Sequence, residues 1–131
     1  MKKNGILNAD ISRVLSYMGH TDRICIADCG LPVPDETERI DLALTFGTPS
    51  FMETLRAVMA DMKIEKIVLA TEMKEKNPEL CKEISALFEG TETVFVYHDQ
   101  FKDMTRGCKA IIRTGENTPY ANIILQSACV F

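Results

Sequence analysis

The sequence contains no run approaching the ~20 consecutive apolar residues that a membrane-spanning helix requires. Its first residues, Met1-Lys2-Lys3-Asn4-Gly5-Ile6-Leu7, carry positive charge, but Asp10 and Arg13 arrive before any apolar stretch long enough for a secretory signal. A basic block is also missing: 15 Lys and Arg stand against 19 Asp and Glu, a net charge of −4 with both histidines neutral. That mildly acidic balance argues against nucleic acid or an anionic membrane as the main partner. No CxxC pair occurs, and the five cysteines (Cys25, Cys29, Cys81, Cys108 and Cys129) are scattered and odd in number. Free thiols in a reducing cytoplasm fit this better than a disulfide framework or a zinc site. The glycine-rich dinucleotide fingerprint, the phosphate loop, HExxH, GxSxG and the EF-hand loop are all absent. These absences leave small-molecule chemistry run by side-chain acids and bases, in a cytoplasmic protein expected to need neither cofactor nor metal.

The 131 residues are 46% hydrophobic and 26% charged, enough to bury a core without staples. No repeat, low-complexity tract or linker divides them, so residues 1–131 are expected to form one domain. Asn8 is placed to cap a helix carrying Ile11, Val14, Leu15 and Met18 on one face, with Gly19 as its stop. Residues 23–27 read as a buried strand, 28–34 as a Gly/Pro-rich loop, and 40–44 as an alternating strand. Thr48-Pro49 and Asn77-Pro78 each give a cap-then-proline helix start. Strands are expected at 66–70, 93–97 and 109–113, a short helix at 98–106, and a strand-rich tail from 122. This alternation predicts an α/β fold, a three-layer α/β/α sandwich with a largely parallel or mixed sheet. Ligands in such folds favour the loops beyond the strands' carboxyl ends.

Few groups there can do acid–base work. His20, in Gly19-His20-Thr21-Asp22, follows a helix whose C-terminal dipole favours imidazolium, as does the nearby Asp22. It is either a proton donor or a cap that complements the dipole. His98 follows a strand and precedes Asp99, a position that suits a ligand contact or a simple helix start. Asp28 ends the first strand, where its carboxylate can accept from sugar hydroxyls, orient an imidazole, or close an Asx turn. Residues 113–122 are the densest in polar groups; Tyr120 and Asn122 suit a polyol, or an ordinary turn in which Arg113 and Glu116 pair with each other. Residues 72–76 and 99–103 read as solvated surface, with Lys102 able to reach a ligand only if its helix borders the pocket.

Taken together, Asn4-Gly5-Ile6-Leu7-Asn8, Gly19-His20-Thr21-Asp22, Ala27-Asp28-Cys29-Gly30-Leu31-Pro32-Val33-Pro34 and the stretch from Arg113-Thr114-Gly115-Glu116 to Thr118-Pro119-Tyr120-Ala121-Asn122 resemble the D-ribose pyranase family, in register over nearly the whole chain. The related fucose mutarotases share the Gly-His and Tyr-x-Asn elements, but Gly-Leu-Pro-Val-Pro after Cys29 is more similar to the ribose branch. The resemblance implies a cytoplasmic isomerase that interconverts β-pyranose and β-furanose D-ribose and feeds a ribose kinase. It implies His20 as proton donor and Asp28, His98, Tyr120, Ala121 and Asn122 as substrate-binding residues, in a homodecamer of two stacked pentameric rings with sites near subunit contacts. Cys29 departs from the alanine usual in the family. A fucose-type mutarotase and a non-catalytic sugar-binding or transport-accessory protein are the competing expectations.

Overall fold

The computed structural model describes residues 1–131. In chain order the elements are α1 (Ala9–Tyr17), β1 (Arg23–Ala27), β2 (Glu38–Asp41), α2 (Phe51–Met59), β3 (Ile64–Ala70), α3 (Met73–Lys76), α4 (Pro78–Leu87), β4 (Glu92–Val96), α5 (His98–Met104), β5 (Ala110–Arg113) and β6 (Ile123–Ser127). A single 3₁₀ turn, Thr105–Gly107, links α5 to β5. The six strands form one sheet in the order β2-β5-β1-β6-β3-β4. The pairs β2·β5, β1·β5 and β3·β4 are parallel, and β6 runs antiparallel to both of its neighbours, β1 and β3. The sheet is therefore mixed, with five strands pointing one way and the second half of the chain inserting β6 in reverse.

Alternation along the strands divides the core into two layers. Ile24 and Ile26 of β1 face the larger cluster with Ile67, Leu69, Ile112, Ile123 and Leu125, beneath Ile11 and Val14 of α1, Phe51, Leu55 and Val58 of α2, and Ile84 of α4. Cys25 and Ala27 point to the opposite face with Val68, Ile111 and Ile124, where Phe101 of α5, Leu31 and Cys108 cover them. The result is the expected three-layer sandwich, with one face covered by several helices and the other by α5 and the loop after β1.

Local chemistry sets the helix starts. Asn8 caps α1 as expected, its Oδ1 accepting from the Ile11 N–H at 2.9 Å. Thr48 does not cap α2. A capping box between Ser50 and Glu53 starts that helix two residues later, satisfying two N–H groups reciprocally. Pro78 sits at the first turn of α4, but the Asn77 side chain is drawn away from the helix N–H groups to residues 118–119. The strand expected at 40–44 lies instead at Glu38–Asp41, because the parallel register with β5 ends at Asp41↔Arg113. Beyond it the chain turns through residues 45–48 to reach α2, with Leu44 and Phe46 left exposed.

Candidate functional site

Because β6 alone is reversed, the carboxyl ends of β1, β3, β4 and β5 and the amino end of β6 lie along one edge of the sheet. That edge gathers residues far apart in sequence: Asp28 after β1, Glu72 after β3, His98 after β4, Arg113 and Thr114 at the end of β5, and Asn122 before β6. Thr114, fully buried, fastens the β5 exit to β1 by donating its hydroxyl and its N–H to the Ala27 carbonyl at 2.7 and 2.9 Å.

Asp28 and Asn122 form the centre. The Asp28 N–H donates to Asn122 Oδ1 and Asn122 Nδ2 donates to Asp28 Oδ2, each at 2.9 Å, while Asp28 Oδ1 accepts from the Gly30 N–H at 2.9 Å. The Asx turn and the ligand-facing carboxylate are thus both present in one residue: the turn fixes Asp28, and an ionised carboxylate retains lone pairs for further donors. Asn122 is fully buried, which fixes its amide by packing as well as by hydrogen bonds.

His98 opens α5. Its backbone N–H donates to both oxygens of Glu72, at 3.1 and 3.0 Å, so a carboxylate sits at the amino end of this helix. Its ring stacks on Phe101 at a centroid distance of 6.5 Å and meets the ring of Tyr120 edge-on at 5.0 Å. Nδ1 is buried without a hydrogen-bond partner. Tyr120 holds its place through a left-handed backbone, φ 56°, that a tyrosine adopts only when its surroundings enforce it. Asn77 braces that loop, donating from Nδ2 to Thr118 Oγ1 at 3.0 Å and to the Pro119 carbonyl at 2.9 Å. Glu116 adds a second tie, accepting from the Phe51 N–H and the Thr118 hydroxyl at 3.0 and 2.9 Å.

Beside them opens a cavity of about 330 Å³ lined by Asp28, Gly30, Leu31, His98, Pro119 and Tyr120. Its size is at the small end of ligand sites, which run from roughly 300 to 1,000 Å³. Ala121 is fully buried and its methyl belongs to the larger core, so only its backbone is available to a ligand. A roomier hollow of about 580 Å³ between residues 5–8 and α2 holds none of the histidine or tyrosine chemistry. Lys102 points to a neighbouring cleft lined by Pro32–Pro34 and the outer side of α5, and pairs with Asp99 at 2.8 Å.

Two expectations change here. Arg113 and Glu116 do not pair across the turn: Arg113 bonds Asp41 at 3.0 and 3.2 Å and the Cys29 carbonyl at 3.1 Å, while Glu116 serves the ties just described. Glu72 is not free surface, since it holds the His98 N–H. Glu72, Asn77 and Glu116 carry no local signal of these roles, because every partner is 26 or more residues away except Thr118.

His20 stands apart. It precedes β1 and Asp28 follows it, so the five-residue strand separates them, about 15 Å of extended chain. The imidazole is half exposed at the opposite edge of the sheet, with Nε2 2.9 Å from Glu65 Oε2. Asp22, the carboxylate nearest in sequence, is engaged by the Gly19 N–H at 2.9 Å and by Lys109 at 3.5 Å. Asp28, His98, Tyr120 and Asn122 meet within one chain; His20 does not join them there.

A family model described as the RbsD / FucU transport protein family matches residues 1–130. The chain is 50% identical over 131 residues to a D-ribose pyranase of Clostridium perfringens, covering 100% of both. It is 55% identical to a D-ribose pyranase of Geobacillus kaustophilus, covering 100% of this chain and 96% of that one. Among solved structures, Bacillus subtilis RbsD complexed with D-ribose superposes with a TM-score of 0.98 at 47% identity, over 100% of each chain. The fucose mutarotase of Streptococcus pneumoniae in complex with L-fucose shares the fold, with a TM-score of 0.80 at 24% identity over 95% of each chain.

Proposed function

The chain belongs to the RbsD / FucU transport protein family, and from that premise we propose that it is an isomerase interconverting the β-pyranose and β-furanose forms of D-ribose. The observation that carries this reading is the near-identity of its backbone, at 47% sequence identity, to a relative complexed with D-ribose. The small cavity that brings a carboxylate, an imidazole and a phenol together at Asp28, His98 and Tyr120 supports it. On the family resemblance, the proposal extends to a homodecamer of two stacked pentameric rings working in the cytoplasm. No helix of the chain is long and apolar enough to cross a membrane.

The chemistry needs only protons moved at defined places. A proton reaches the ring oxygen as its bond to the anomeric carbon breaks, and the anomeric hydroxyl gives one up to become the aldehyde oxygen. After rotation a different hydroxyl adds to the aldehyde carbon, losing its proton while the aldehyde oxygen regains one. No atom is gained or lost overall. Asp28 accepts from sugar hydroxyls, Asn122 holds the Asp28 carboxylate in place, and the His98 and Tyr120 rings present an apolar wall and polar edges. The family resemblance adds the Tyr120-Ala121-Asn122 segment as a substrate contact. His20 is the acid on opening and the base on closure. Because β1 separates His20 from Asp28 within one chain, the proposal has His20 of a second copy face each cavity across a subunit contact.

Saturation-transfer NMR on ribose tests the proposal. Added protein should accelerate exchange between pyranose and furanose signals, and His20→Ala should abolish the acceleration while leaving ribose binding largely intact. Exchange at the buffer rate would identify a sugar-binding protein without catalysis, and preferential acceleration of α/β exchange in fucose would identify a fucose-type mutarotase.

A further inference from the structure

A second polar array, at the edge of the sheet opposite the cavity, runs back from His20. Its Nε2 is 2.9 Å from Glu65 Oε2. The other oxygen of that carboxylate, Oε1, accepts from Gln126 Nε2 at 2.8 Å, and Gln126 Oε1 accepts from Arg23 Nε at 3.1 Å. The order of donors is forced. Arg23 has no acceptor to offer, so it claims the carbonyl of Gln126 and turns the amide NH₂ toward Glu65. Both oxygens of Glu65 are then in use as acceptors.

The backbone is shaped to deliver this carboxylate. In the β3·β6 ladder Ile64 pairs with Ser127 and Lys66 with Gln126, so Glu65 is an extra residue opposite no partner. Such bulges re-aim a side chain that regular pleating would send elsewhere. The Gln126 amide first and the His20 contact second hold the Glu65 carboxyl below the usual carboxylate range, so it remains an acceptor through neutral pH. The other charges around His20 are already engaged: Asp22 with Lys109, Arg23 with Gln126, and Lys66 with Glu92 at 3.1 Å.

We propose that Glu65 is a positioning residue that fixes the neutral His20 ring in the tautomer carrying hydrogen on Nε2, leaving Nδ1 as the nitrogen that exchanges protons with the sugar. This rests on the reading of His20 as the acid–base group. With two histidines in the chain, the ring signals can be assigned by comparison with His20→Ala.

Long-range ¹H–¹⁵N spectra of the imidazoles, with the neutral ring populated, read the tautomer directly. The expected result is an Nε2–H ring in the parent protein and a tautomer mixture in Glu65→Ala, whose ribose affinity stays within about twofold while ring conversion slows by roughly tenfold or more. Glu65→Gln, which can still accept from Nε2–H, should recover part of the tautomer bias and of the rate. Glu83→Gln, in the exposed ion pair with Arg56, serves as the control and should change neither. An Nδ1–H ring in the parent, or an unchanged ring state and rate in Glu65→Ala, would overturn the proposal. If His20→Ala itself kept full activity, the assignment of His20 would fail instead, and the tautomer spectra would still judge the contact with Glu65.

Discussion

Asp28 and Asn122, 94 residues apart in sequence, exchange two hydrogen bonds of equal length: the Asp28 N–H to Asn122 Oδ1 and Asn122 Nδ2 to Asp28 Oδ2, both 2.9 Å. Asn122 is fully buried, so it cannot be replaced by water without opening the site. Asn122→Ala leaves the Asp28 N–H and one carboxylate oxygen without their partner. Urea unfolding should show a loss of about 1–3 kcal/mol, and calorimetry should show weakened ribose binding, because the carboxylate is no longer held toward the cavity.

The proposed division of the site between copies is open to a complementation experiment. His20→Ala and Asp28→Asn, each inactive alone, should recover activity when co-expressed as mixed assemblies. In a random mixture roughly a quarter of the contacts between unlike surfaces join an intact His20 to an intact Asp28. Recovery near that fraction of parental ring conversion is the expected outcome; a mixture as inactive as its components would place both groups in one chain's site.

Gly115 sits where no side chain fits. A Cβ there would lie 2.3 Å from the Thr48 carbonyl oxygen and 2.4 Å from that of Thr45, both backbone atoms. The close approach lets Gly115 N–H bond the Pro49 carbonyl at 2.9 Å and Gly115 O accept from the Gly47 N–H at 2.6 Å. Gly115→Ala must push the 45–49 turn away from the sheet edge. Overpacking of this kind costs about 1–3 kcal/mol, to be read as a lowered thermal midpoint, and the displaced Glu116 should weaken ribose binding as well.

Burial pushes the Cys108 thiol up to about 12 and that of Cys25 well above its ordinary 9.0. Native protein treated with iodoacetamide at pH 8 should therefore lose Cys29, Cys81 and Cys129 to alkylation first and retain Cys25 and Cys108, as mass spectrometry of the peptides would reveal. The linkage has a defined sign. Above pH 9 the unfolded thiols ionise while the folded ones stay protonated, so the unfolded chain binds fewer protons. Stability falls as pH rises from about 9 toward 12, and Cys108→Ala should flatten part of that alkaline decline.

How far the sequence predicts this molecule depends on the range of each signal. Buried strands such as residues 23–27 and 66–70 are runs of apolar residues, and Asn8 and Pro78 act within one helical turn, so local pattern suffices for them. Sheet order is different. Nothing in residues 123–127 states that this strand lies between β1 and β3 in reverse, because pairing is chosen by distant partners. The same limit explains the site. Asp28, His98, Tyr120 and Asn122 are conspicuous as polar groups at element ends, whereas Glu72 and Glu65 look like ordinary surface, and Asn77 like a helix cap, until their partners fold against them. His20 was recognisable as a chemical group, but its distance from Asp28 follows from β1 lying between them, which is a fact of three dimensions.

The reversed strand also dictates when a newborn chain can become competent. Until residues 123–127 have left the ribosome, β2-β5-β1 and β3-β4 are two unjoined ribbons, each with a raw apolar edge at β1 or β3. Ribosomes stalled before that segment emerges should carry chains that are protease-sensitive and unable to retain the sugar. Closure of the sheet thus waits on the last strand of the chain, whose two neighbours belong to different ribbons.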